Sequence, residues 1–160
     1  MTLPIKIDDY NYRFFKNLNE DVKLVSDEYG RWDIDFDNQN DDWNNCNGFD
    51  SMVNACIIAI MTRFDELGFM ELYDDFGCRV HELIKDTKSK QTEYHIGLFI
   101  EEVLNNIRRI KKVNWVDVTE PINQKYNYKV AFSVTCLIDE YSDGDEDELE
   151  TQTIEEEIII

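Results

Sequence analysis

Cations are scarce in this chain: 16 Lys and Arg stand against 35 Asp and Glu, for a formal net charge of −19. That balance argues against binding nucleic acid through its phosphates, which needs clustered Lys and Arg, and disfavours an anionic membrane surface for the same reason. Histidine is scarcer still, with only His81 and His95, and neither has a recognisable nucleophile motif beside it. No apolar run approaches the ~20 residues needed to span a bilayer. Residues 1–10 lack the basic start and apolar middle of a signal peptide, so a protein made and used in cytoplasm is expected. The four cysteines, Cys46, Cys56, Cys78 and Cys136, are widely spaced without a C-x-x-C. That fits reduced thiols better than a disulfide framework or a zinc site; three are expected to pack inside, with Cys46 at the surface. A phosphate-cradling glycine loop, a nucleotide fingerprint and metal-ligand spacing are all missing, so neither a cofactor nor a metal is expected.

What is present fits one domain with tails, 160 residues being enough for a hydrophobic core. Its centre is residues 57–84. The run 52–61 is almost wholly apolar and reads as a helix buried on most sides, with Asp50 or Ser51 placed to cap it. Thr62, Arg63, Asp65, Glu66 and Gly68 follow, then the turn Tyr73-Asp74-Asp75-Phe76-Gly77, where glycine permits tight backbone angles. A short amphipathic piece, 79–84, comes next.

Upstream, residues 1–19 mix aromatic and polar side chains without a period and suit an arm. Residues 21–26 and 31–36 are β-prone runs joined through Asp27-Glu28-Tyr29-Gly30, which predicts a hairpin. Asp33, Asp35 and Asp37 alternate as in a calcium loop, but Asn38 and Asn44 stand where that loop needs glycine and glutamate; a strand with one wet face is the better reading. Residues 38–48 read as a loop.

Downstream, residues 92–109 form the clearest helix, with Ile96, Phe99, Ile100, Val103, Leu104 and Ile107 on one stripe and Thr92 as a cap. Arg108, Arg109, Lys111 and Lys112 crowd its end and are expected to complement the helix dipole and the acidic body. Residues 113–119 and 125–138 read as strands. In the second, Tyr126, Tyr128, Val130, Phe132, Val134, Cys136 and Ile138 share one face, and a strand this long is expected to leave an edge open to another chain. An acidic linker follows. The last ten residues, TQTIEEEIII, place Ile154, Ile158, Ile159 and Ile160 in a segment that needs a sheet edge, either its own or a neighbour's. Deleting it is expected to leave the body folded, because the core helices lie upstream.

Thr62-Arg63 closing an apolar helix, Glu66, the turn Asp74-Asp75-Phe76-Gly77, Cys78-Arg79 and His81-Glu82-Leu83 resemble the contractile-tail baseplate wedge family, also called sheath initiators and once labelled lysozyme-like. The resemblance runs in order through residues 34–138, although Leu67 and Gly68 replace the family's proline and arginine beside the glutamate. It implies an α+β fold, with a small mixed or antiparallel sheet packed against two or three helices. Residues 1–20 form an arm, 21–140 the body, 141–150 a flexible acidic linker and 151–160 a strand-like tail. It further implies a structural virion protein of the tail baseplate, assembled in the host cytoplasm. Six copies around the hub would join wedge proteins to the first ring of sheath protein by strand exchange. Arg63, Glu66, Asp75, Gly77 and Arg79 would contact the wedge or hold the turn in shape, and the row from Tyr126 to Ile138 would meet the sheath.

Two other readings compete. A small acidic inhibitor imitating nucleic acid would bind a basic host enzyme, but much of the acidic excess sits in residues 139–157 rather than on ordered rows. A hydrolase using Glu66 and Asp75 would need two convergent carboxylates, and with so many acids such pairs arise by chance. No enzymatic role is expected.

Overall fold

The computed structural model describes residues 20–37, 39, 42–70, 75–83, 88–120, 127–137 and 151–160. Among the described residues, two α-helices, a short 3-10 helix at Arg79–Glu82 and several small antiparallel sheets make an α+β fold. Residues 1–19 of the arm, the acidic linker, residues 121–126, which hold Tyr126 and the start of the strand expected over 125–138, and Ile138 lie outside the described residues.

The first six strands are very short: β1 (Glu20–Val22), β2 (Leu24–Ser26), β3 (Trp32–Ile34), β4 (Phe36–Asp37), β5 (Asp42–Trp43) and β6 (Asn45–Asn47). They pair as β1 with β6, β2 with β3 and β4 with β5, all antiparallel. The three ladders meet at Lys23, Asp35 and Asn44. There the Lys23 N–H donates to the Asn44 carbonyl at 2.8 Å, the Asn44 N–H to the Asp35 carbonyl at 2.9 Å, and the Asp35 N–H to the Lys23 carbonyl at 2.8 Å. Each strand segment thus changes partner at the junction without leaving those backbone groups unpaired. Side chains reinforce it: Asn44 Nδ2 donates to Asp35 Oδ2 at 3.1 Å, and Lys23 Nζ lies 3.8 Å from the same oxygen.

The expected hairpin is present as β2–β3, closed by Asp27. Its Oδ1 accepts the N–H groups of Tyr29 and Arg31, and its Oδ2 meets the Arg31 guanidinium at 2.6 Å. These bonds, led by the Arg31 backbone N–H, hold its carboxyl below the usual range. The loop expected over 38–48 is corrected, since it contains β5 and β6. Two- and three-residue strands carry no legible period; junction hydrogen bonds hold them. Cys46 is corrected too. It lies on β6, 7% exposed, beneath Asn54, whose Nδ2 donates to Cys46 Sγ at 3.2 Å and to the Val22 carbonyl at 2.8 Å.

Helix α1 (Gly48–Met61) begins earlier than expected, with Asn47 as its N-cap residue and no side-chain cap. Ser51 and Asp50 therefore do not cap it: Ser51 is buried within the helix, and Asp50 only adds charge to its first turn. Met52, Cys56, Ile57, Ala59 and Ile60 are all buried. Helix α2 (Lys90–Asn105) is capped by Ser89, whose Oγ accepts the Thr92 N–H at 3.1 Å, so the cap expected at Thr92 moves to Ser89. No basic residue lies in its last turn. Arg108 and Arg109 follow the helix, Arg109 is buried, and Lys111 and Lys112 lie on the next strand. The dipole-complementing role expected of these cations is corrected accordingly.

Strands β7 (Ile110–Thr119), β8 (Lys129–Leu137) and β9 (Thr151–Ile159) form one antiparallel sheet in that order. Its inner face carries Val130, Phe132, Val134 and Cys136 against Met52, Cys56 and Ile60 of α1 and Ile96, Ile100 and Leu104 of α2 in a single core cluster. Burying each large aliphatic side chain there contributes about 1.5–3 kcal/mol before the ordering entropy is counted.

Candidate functional site

Two regions take up the residues singled out by the sequence. The first is the turn after α1. Thr62 closes that helix, its hydroxyl donating to the Ile58 carbonyl at 2.7 Å. The chain then lies alongside Cys78: the Cys78 N–H donates to the Thr62 carbonyl at 2.8 Å, and the Phe64 N–H to the Cys78 carbonyl at 3.1 Å. Gly77 makes this approach possible. Its φ is +110°, and a Cβ there would overlap the Arg63 carbonyl, meeting its carbon at 2.7 Å.

Glu66 and Arg63 are tied reciprocally through the backbone. The Arg63 N–H donates to Glu66 Oε2 at 3.1 Å, and the Glu66 N–H donates to the Arg63 carbonyl at the same distance. The Glu66 carboxylate thus braces a turn, and the exposed Arg63 guanidinium forms no ion pair among the described residues. Arg79 pairs with Glu82 at 3.3 Å and stacks over Phe64 and Phe99, its guanidinium carbon 5.9 Å and 5.5 Å from the ring centroids. Asp75 is exposed; Asp74 lies outside the described residues. Beside the turn is a mostly apolar groove of about 360 Å3, lined by Leu24, Trp32, Ile57, Met61, Glu66 and Leu67 among others. Phe64, Phe69 and Met70, in the segment that follows α1, are exposed, Phe69 at 77%.

The second region is the sheet. Tyr128, Val130, Phe132, Val134 and Cys136 are each at most 1% exposed, so this row faces the chain's own core. The open edge expected on β8 is corrected, because β7 pairs with one side of it and β9 with the other. The tail pairs with its own sheet through nine consecutive partners, from Lys129 opposite Ile159 to Leu137 opposite Thr151. Ile158 enters the core at 2% exposure, Ile154 lies opposite Val134, and the Ile160 N–H and carbonyl bond the Tyr128 carbonyl and N–H at 2.9 Å each. Ile159 sits on Gly30, where an added Cβ would come within 2.7 Å of the Ile159 Cβ. The strand thereby touches the β2–β3 turn as well as the sheet.

No family model matches this chain, and no curated protein is similar enough to it to count as a relative.

The two edges of the sheet differ. On β7 the register breaks between Ile110 and Lys112 and again between Val113 and Trp115, whereas β9 runs without a break. Bulges and lysines blunt an edge against further pairing, so β9 is the regular edge. The sequence did not mark Lys23, Asp35 and Asn44 as a junction, nor Ser89 as the cap, although a serine just before a helical apolar stripe is itself an N-cap signal. Among the described residues, no three His, Cys, Asp or Glu side chains cluster as metal ligands. His95 is exposed; the Nε2 of His81 is buried without a hydrogen-bond partner among the described residues.

Proposed function

We propose that this chain is a structural component of a contractile-tail baseplate, of a phage or a related injection machine, that links wedge proteins to the first sheath ring. The resemblance of the Thr62–Leu83 motifs supports this reading, and the arrangement of β9 carries it. A nine-residue strand, separated from β8 by residues 138–150, completes the sheet at its regular edge. Such a strand can exchange between chains with the same register, since main-chain bonds supply affinity and alternate side chains supply specificity. In this reading β9 or its outer edge meets a sheath subunit, and β8 receives whichever strand takes the place of β9, with Ile154 or its counterpart opposite Val134 and Ile158 or its counterpart opposite Val130. The turn of Arg63, Glu66, Asp75, Gly77 and Arg79, with its exposed aromatic neighbours, faces the wedge. We assign the chain no reaction.

The test is to mix the purified chain with a candidate sheath protein encoded beside it, then sediment the mixture and examine it by negative-stain microscopy. Rings or short sheath stubs that require this chain are expected. Capture of a basic host enzyme, with no binding to tail proteins, would replace this reading with the acidic inhibitor.

A further inference from the structure

We propose that the chain's own residues 1–19 dock on the apolar face that the strands β2–β5 share with the groove beside α1, and cover it. The inference concerns two parts of one chain and is independent of any role at a sheath. Directly opposed side chains of an antiparallel pair point the same way, and alternate residues of a strand share a face. Leu24 is opposite Ile34, with Trp32 two residues before it, and Leu24 and Trp32 line the groove together with Ile57, Ile58 and Met61. Phe36, two residues beyond Ile34, is opposite Trp43, so both continue the same side. Asp33 and Asp42 point the other way, paired with Val25 and Asp37. The outer part of the apolar face is open: Ile34, Phe36, Trp43 and Ile58 are each between 40% and 55% exposed. A contiguous apolar surface that runs into a groove marks a binding site.

Charge and sequence select the occupant. Residues 20–70, which supply this face, hold twelve acids and three cations. Two of those cations are already engaged, Lys23 lying 3.8 Å from Asp35 and Arg31 2.6 Å from Asp27. Glu66 is the one charged side chain among the residues lining the groove. Residues 1–19 have the opposite balance, with Lys6, Arg13 and Lys16 against Asp8 and Asp9, in a chain whose net charge is −19. No period is sustained over the whole arm, but Tyr10, Tyr12 and Phe14 stand at alternate positions, as Ile5 and Ile7 do. An extended stretch there turns its aromatic rings to one side and Arg13 to the other. The rings match the apolar face, and the cations match its acidic surroundings.

The arm also joins the body beside the face. Glu20 opens β1, and the Val22 carbonyl accepts a hydrogen bond from Asn54 of α1 at 2.8 Å. Leu24 follows Glu20 by four residues, at most roughly 14 Å of chain. The six residue steps from Phe14 to Glu20 span up to about 20 Å, and Asn17 and Asn19 suit a reversal of direction. Tyr10, Tyr12 and Phe14 therefore reach the face from the same molecule. Tethering raises the arm's effective concentration there to the millimolar range, which favours it over the arm of a second copy.

The experiment uses the full chain with Tyr12 replaced by the photo-crosslinker p-benzoylphenylalanine. Irradiation of a dilute sample, then proteolysis and mass spectrometry, should join residue 12 to peptides within 32–36, 42–43 or 57–67 of the same molecule. Phe36→Ser with Ile58→Ser should abolish that link; both side chains are already exposed, so the fold should survive. In a separate full chain, Tyr10→Ser with Tyr12→Ser and Phe14→Ser should uncover the face, brightening and blue-shifting the emission of the apolar dye ANS. Circular dichroism checks that each variant folds. Links to the sheet β7–β9 or to α2, links between copies that grow with concentration, or the absence of any link would each overturn the proposal. So would an ANS signal unchanged by the arm substitutions.

Discussion

The backbone N–H of Lys23 donates to the carbonyl of Asn44 at 2.8 Å, closing a three-membered ring of hydrogen bonds with Asp35. None of the six short strands around it exceeds three residues, so the ring connects ladders too small to persist alone. Asp35→Pro removes one donor while keeping an extended backbone and should destabilise the chain by about 1–3 kcal/mol. Asp35→Ala, which keeps the ring and loses only partly exposed side-chain contacts, should cost about 1 kcal/mol or less. Urea midpoints compare the two, and equal losses would show that the ring matters little.

Two glycines should respond in opposite directions. Gly77→Ala forces a Cβ onto the Arg63 carbonyl at a φ of +110° and should cost about 2–4 kcal/mol through strain and overlap. Gly97 lies inside α2, and an added Cβ would meet Val118 Cγ2 at 3.7 Å, an ordinary contact. Gly97→Ala should therefore stabilise by about 0.5–1 kcal/mol. Thermal melts of both variants would show the split.

Removing residues 151–160 is expected to unfold or loosen the body, which reverses the expectation drawn from sequence. Ile158 belongs to the same core as the helices, and truncating one such side chain to alanine typically costs about 2–5 kcal/mol against a domain stability of about 5–15 kcal/mol. The free peptide TQTIEEEIII should restore the native circular dichroism spectrum of the shortened chain. An unchanged melting midpoint after truncation would contradict the pairing. Rescue in trans would show that the strand can be supplied by another molecule.

Stability should decline toward both ends of the pH scale, from different groups. Burial pushes the Cys56 thiol up to about 12 and the Cys78 thiol up to about 11. Unfolded thiols ionise near ~8.5, so their contribution is complete below that value and is lost as pH rises through the folded values. Asp27 works in the reverse sense. Its lowered value adds stability above the unfolded ~3.9, and this is lost as pH falls through the folded value. Denaturation of wild type and Asp27→Asn should differ near neutral pH and converge in acid. At pH 8 a thiol reagent should leave Cys56 and Cys78 unmodified until urea is added; rapid labelling of the native chain would refute their burial.

Long, regular elements were legible because their side chains repeat. The stripe from Ile96 to Leu104 marked α2, and the alternation through Val130, Phe132 and Val134 marked β8 and its inward face. Partnership was less legible than periodicity. The pattern of β8 says which side chains turn inward, but not that β7 and β9 occupy both of its edges, since that depends on residues far away in sequence. The segment 38–48 looked like loop because β5 and β6 are held by Asn44 and its ring rather than by an apolar repeat. Arg109 looked like one of four surface cations, yet it is 5% exposed while Lys111 is displaced outward by a bulge. Of the turn, Gly77 was readable from its residue type, whereas the bracing of Arg63 by the Glu66 carboxylate required the geometry.

The alignment of β9 on β8 also determines how the chain bears load. Hydrogen bonds between antiparallel strands run perpendicular to the strand axis. A pull along β9 loads its nine pairs together, as in shear, whereas a pull away from the sheet opens them one after another from the Ile159 end, like a zipper. Because Ile159 also presses on Gly30, the first step of that peeling disturbs the β2–β3 turn. Direction of force, more than its size, would decide whether the joint holds.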